Sequence, residues 1–78
     1  MFHERLRSAR KSKKLKLQEM ADCITVALRT YQGYEGGTRF PAPDTLVKIA
    51  DTLDVSIDWL LGRDEWLQSH GVSVDEYQ

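Results

Sequence analysis

The chain has 78 residues, 41% of them hydrophobic and 29% charged, with a formal net charge of -1. This is one domain of ordinary soluble composition, short enough to bury only about 60% of the surface its unfolded form exposes. No apolar run approaches the ~20 residues that a bilayer-spanning helix needs, and Met1-Phe2-His3-Glu4 leads into a charged stretch without a signal-peptide pattern.

Phe2, Leu6 and Ala9 are spaced as one face of a helix and predict a first helix from Phe2 to Lys13. Arg5, Arg7, Arg10, Lys11, Lys13 and Lys14 surround that stripe, and the lysines of the last turn also suit the negative end of the helix dipole. Leu15 is an apolar plug before a second helix, Leu17 to Cys23, whose stripe is Met20, Ala21 and Ile24. Cys23-Ile24-Thr25-Val26 leaves room for about a three- or four-residue corner, the length used by a helix-turn-helix. Ala21 supplies the small side chain that two steeply crossing helices need where they touch. Cys23 is the single cysteine; it has no partner for an internal disulfide, which fits a reducing cytoplasm. With His3 and His70 near opposite ends there is no cluster of ligands, so neither a metal nor a cofactor is expected.

The third helix, Leu28 to Tyr34, turns Val26, Thr30, Tyr31 and Tyr34 inward. Val26 and Tyr31 have the spacing of a hydrophobic staple around a start at Ala27, a poor N-cap that forgoes ~1 kcal/mol. Gly36-Gly37 stops this helix. After the loop from Thr38 to Ala42, Pro43 opens a fourth helix that runs to Leu53, with Asp44 favourable in its first turn. Leu46, Ile49, Ala50 and Leu53 face inward. Ser56 caps a fifth helix, Ile57 to Leu61, which Gly62 ends. Trp59, Leu60 and Leu61 read as core or subunit contact. No stretch alternates as a strand, so the fold class is all-α with five short helices in residues 1–62. Residues 63–78 form an extension whose Trp66, Leu67, Val72, Val74 and Tyr77 either pack back on the domain or make a dimer contact.

Charge is unevenly placed. Residues 1–40 hold nine Lys and Arg against four acids, and residues 41–78 hold two against eight. Such a chain presents a basic face to phosphates while its far side repels them, which favours one docking orientation on DNA.

The ERLRSAR opening, QEMAD-x-I, TYQGYEGG-TR-x-P and DTLVKIADTLDVSIDWLLG occur in the order found in the phage repressor and Cro family of helix-turn-helix proteins, and the chain resembles that family over Phe2 to Gly62. The resemblance implies a lambda-repressor-like domain that binds a double-stranded DNA operator as a homodimer, the two reading helices entering the major groove roughly 34–36 Å apart. It implies a salt bridge between Arg10 and Glu35, tying the first helix to the end of the reading helix. It places Leu28, Arg29, Gln32 and Gly33 against base edges. The N–H groups near Gly36 to Thr38, Gly37 among them, with Arg39 fall where the family grips phosphate, and Lys16 with some of the first helix's basic residues would add to that grip. An Arg29–guanine and a Gln32–adenine pair would each give about 1–3 kcal/mol of discrimination. The sequence departs from the family pattern at Lys16, Leu17, Thr25, Ala27 and Gly33, the last removing a base-reading side chain altogether.

The expected function is that of a sequence-specific regulator, a small prophage-type repressor. The alternative is a protein-interaction module or antitoxin on the same fold, favoured if Leu17 and Leu28 are both exposed on one face. An enzyme is not expected, since Asp51, Asp54 and Asp58 read as solvated helix faces and caps.

Overall fold

The computed structural model describes residues 1–63. It contains α1 (Phe2–Ser12), α2 (Leu17–Cys23), α3 (Leu28–Gly36), α4 (Pro43–Leu53) and α5 (Ile57–Leu60). The proposed extension lies outside the described residues apart from Arg63, which pairs with Asp58 at 3.1 Å.

The predicted stripes converge on one core. Leu6 and Ala9 of α1, Met20 and Ala21 of α2, Tyr31 and Tyr34 of α3, Ile49, Ala50 and Leu53 of α4, and Trp59 and Leu60 of α5 are all buried, with Ile24 filling the corner between α2 and α3. Removing Leu6, Met20, Ile24, Ile49, Leu53 or Leu60 from water contributes about 1.5–3 kcal/mol each. The Arg5 guanidinium ties α1 to α5, donating from Nη1 to the Trp59 carbonyl at 2.6 Å and lying 5.0 Å from the Trp59 ring centroid. Phe2 and Phe40 pack ring to ring with centroids 4.7 Å apart, holding the loop after α3 against the start of α1.

All five helices end with the same device. A residue in the left-handed region is followed by one whose N–H reaches back to the carbonyl five residues earlier. The left-handed residues are Lys14, Thr25, Gly37, Asp54 and Gly62. The returning bonds are Leu15 to Arg10, Val26 to Ala21, Thr38 to Gly33, Val55 to Ala50 and Arg63 to Asp58, between 2.8 and 3.2 Å. Only two of these five stops carry a glycine.

Three expectations change. α3 runs through Gly36, two residues beyond Tyr34, because Gly37 alone takes the left-handed position. Thr30 is only half-buried, since it stands at the edge of the stripe that Tyr31 and Tyr34 bury. Leu61 follows α5 and is 41% exposed, so Trp59 and Leu60 alone carry the apolar contribution expected of all three.

Candidate nucleic-acid interface

The face of α3 away from the core carries Arg29 and Gln32, both exposed, with Leu28 and Gly33 half-buried beside them. Among the described residues no carboxylate pairs with Arg29, Arg39 or Lys16. Their cationic ends are therefore unspent. Leu17, which sequence placed as a possible exposed partner of Leu28, packs against the core instead. Neither leucine is fully exposed.

Behind this face α3 is fastened by a buried ion pair. Arg10 Nε donates to Glu35 Oε2 at 2.6 Å and Arg10 Nη2 to Glu35 Oε1 at 3.2 Å, while Arg10 Nη1 donates to the Leu15 carbonyl at 2.7 Å. The two residues are 9% and 4% exposed. The hydrogen bond to Glu35 raises the Arg10 pKa further above its already high ordinary value. Glu35 is an acid in the last turn, where the helix dipole disfavours it, and the bidentate guanidinium offsets that cost. Burial, with the neighbouring Glu35, pushes the Tyr31 phenol well above its ordinary value, so it stays protonated. Its hydroxyl lies near the pair but outside hydrogen-bonding geometry with either partner.

Sequence reasoning treated the basic residues of the first helix as a group; the structure separates them. Arg7 Nη2 donates to the Glu35 carbonyl at 3.2 Å, and Arg7 Nε lies 3.7 Å from Glu35 Oε1. Arg7 and Lys11 line a groove shared with Leu17, Gln32 and Gly36, which sets cationic side chains beside the outward face of α3. Their helical spacing of four was the available signal, but only the crossing of α1 over α3 shows that they flank Gln32. Arg10 borders the same groove but is only 9% exposed, with Nε, Nη1 and Nη2 committed to Glu35 and Leu15. Lys16 is the N-cap of α2; its side chain makes no cap, and its backbone N–H donates to Glu19 Oε1 at 2.8 Å.

The loop after α3 corrects one expectation. The N–H groups of Gly37, Thr38 and Arg39 all turn to the Gly33 carbonyl, Thr38 N at 3.0 Å and Arg39 N at 3.1 Å. The Thr38 hydroxyl lies 3.4 Å from the same oxygen. Closing the helix spends these donors, so the backbone here offers no open cradle for a phosphate. The Arg39 side chain then crosses Gly33: a Cβ at position 33 would stand 2.9 Å from Arg39 Cδ and 3.0 Å from Cγ.

Comparisons with known proteins place the chain in a family. A family model described as a helix-turn-helix domain matches residues 3–63. The uncharacterised HTH-type transcriptional regulator YqaE of Bacillus subtilis is 48% identical over 61 residues, which is 78% of this chain and 53% of that protein. The HTH-type transcriptional regulator AnsR of the same organism is 42% identical over 72 residues, 92% of this chain and 62% of that protein. The cryptic phage CTXphi transcriptional repressor RstR of Vibrio cholerae serotype O1 is 47% identical over 60 residues, 77% of this chain and 54% of that protein. The chain thus spans between half and two thirds of the length of these relatives. Among solved structures, a chain of the SinR protein/SinI protein complex matches with a TM-score of 0.74 and 28% identity, covering 99% of this chain and 87% of that one. The chain belongs to the helix-turn-helix domain family.

Proposed function

We propose that this chain is a sequence-specific DNA-binding transcriptional regulator, a repressor of the prophage type, that binds duplex operator DNA as a homodimer. The observation that carries the reading is the outward face of α3. Arg29 and Gln32 stand exposed on a helix fixed from behind by Tyr31 and the Arg10–Glu35 pair. In this reading Arg29 pairs with guanine and Gln32 with adenine in the major groove, and Leu28 meets a thymine methyl. Lys16 and Lys11 supply phosphate contacts, which position the protein without reading sequence. Similarity to proteins named as transcriptional regulators and as a phage repressor supports the same conclusion.

The test is selection of binding sites from randomised duplex DNA by the 78-residue protein near 0.1 M salt, with sedimentation of the complex. The expected result is an inverted repeat with half-sites about one helical turn apart, bound by two protomers. Arg29→Ala and Gln32→Ala should each lose about 1–3 kcal/mol and relax preference at one base position. Failure to enrich any motif would overturn the reading. The second reading, a module that binds a partner protein, would then lead, because the matched solved chain comes from a complex of two proteins.

A further inference from the structure

Gly33 stands four residues after Arg29 and one after Gln32, so it lies on the stripe of α3 that also bears Arg29. As glycine it contributes no side chain there. The space is nevertheless filled. The aliphatic stem of Arg39 lies where a residue-33 side chain would begin, with Cδ, Cγ and Cβ at 2.9, 3.0 and 3.2 Å from an ideal Cβ. This placement is anchored, since the Arg39 and Thr38 N–H groups both donate to the Gly33 carbonyl. Arg39 is exposed, and among the described residues no carboxylate holds its guanidinium. The loop arginine thus lays its stem over the α3 position that the glycine leaves bare, where it also borders a groove with Phe2, His3, Tyr34 and Phe40.

We propose that Arg39 reads a base, most simply a guanine, from its seat over Gly33, and so restores the specificity contact that Gly33 leaves out. The inference rests on the DNA-binding reading above and adds a specificity residue to it. Gly33 is then selected for having no Cβ: any larger residue displaces Arg39 from the stripe. A guanidinium suits the task because its planar fork matches the two acceptors of guanine in the major groove.

The same binding-site selection separates this from a phosphate contact. It is run on the 78-residue protein and on its Arg39→Ala and Gly33→Ala variants, with affinities measured on the selected duplex and on a scrambled one. Base reading predicts that Arg39→Ala loses roughly tenfold to a hundredfold on the selected duplex and far less on the scrambled one, with one position of the motif flattened. Gly33→Ala should flatten the same position. Alanine's higher helix propensity is opposed by the 2.9–3.2 Å approach to Arg39, so retention of a cooperative melt, whatever its midpoint, distinguishes displacement of Arg39 from misfolding. Equal losses on both duplexes, an unchanged motif and a salt slope shallower by about one would make Arg39 a phosphate contact and overturn the proposal. So would a Gly33→Ala motif identical to that of the parent. A parent protein that enriches no motif overturns the DNA-binding reading itself, and this inference with it.

Discussion

At the scale of single residues, Glu35 and Tyr31 decide how firmly α3 is held. Glu35 satisfies two donors of a guanidinium that is almost wholly enclosed. Glu35→Gln keeps the shape and removes the charge, leaving Arg10 in the protein with a weaker partner. The expected cost is about 1.5–3 kcal/mol, the range for hydrogen bonds to charged groups, read as a lowered urea midpoint with an unchanged slope. A midpoint equal to the parent's would show that the pair does not stabilise the fold. Tyr31 offers the opposite case. Its ring is fully buried and packs edge-on against Tyr34 with centroids 6.2 Å apart, while its hydroxyl is buried without a hydrogen-bond partner. Tyr31→Phe should therefore cost less than about 1 kcal/mol at neutral pH, because it deletes a desolvated group that gains nothing. The sign with pH follows from the raised pKa. Below the ordinary tyrosine pKa both folded and unfolded phenols are neutral and the stability is fully present. Above it the unfolded phenol ionises while the folded one does not, and stability falls as pH rises. Melting curves from pH 8 upward should show a smaller alkaline loss in Tyr31→Phe than in the parent; identical losses would rule out Tyr31 as the source. The Arg10–Glu35 pair was legible in the sequence only through the family resemblance, and the unpartnered hydroxyl was not legible at all, since Tyr31 there was simply one apolar member of a stripe.

At the scale of elements, the helices and several of their bounds were legible, including both ends of α2 and α4, but the stops made without glycine were not. The inward faces of α1, α2 and α4 and the cap of α5 follow from residue spacing and from Ser56, whose Oγ accepts from Trp59 N at 3.3 Å. The stops at Lys14, Thr25 and Asp54 do not, since no local preference sends lysine or threonine into the left-handed region. They are imposed by the returning hydrogen bonds and by the need for the chain to turn back onto the core. Thr25 is the costliest, because a β-branched side chain at φ 61° crowds its own backbone. Thr25→Gly relieves that crowding, partly offset by the extra freedom of an unfolded glycine, and should stabilise the domain by up to about 1 kcal/mol. A lower melting temperature for Thr25→Gly would mean that the threonine side chain has a compensating role at the corner.

At the scale of the whole molecule, the polarised charge becomes a surface once α1 crosses α3. Arg7 and Lys11 come to flank Gln32, while Arg10 is withdrawn into the interior. The basic residues of one helix thus divide into structural cations, Arg5 against Trp59 and Arg10 against Glu35, and others that face outward. Electrostatic attraction of this kind is screened by salt and indifferent to sequence. Lys16→Ala should accordingly weaken binding to selected and scrambled duplexes by the same factor and reduce the slope of log K against log salt by about 0.9. A loss confined to the selected duplex would instead make Lys16 a base contact.

What the sequence determined by itself is the set of helices, their inward faces and the uneven placement of charge. Each is a local property, because a 3.6-residue period repeats within one element and can be read without knowing its neighbours. What only the tertiary structure decided is where the chain comes back. The spending of three loop N–H groups on one carbonyl and the laying of Arg39 over Gly33 each join residues that no local period relates, as does the Arg10–Glu35 pair, which the sequence offered only through a family resemblance. Such contacts form because buried charge must be paired and helix ends must find donors, and those demands are met by whichever groups the packing brings within reach.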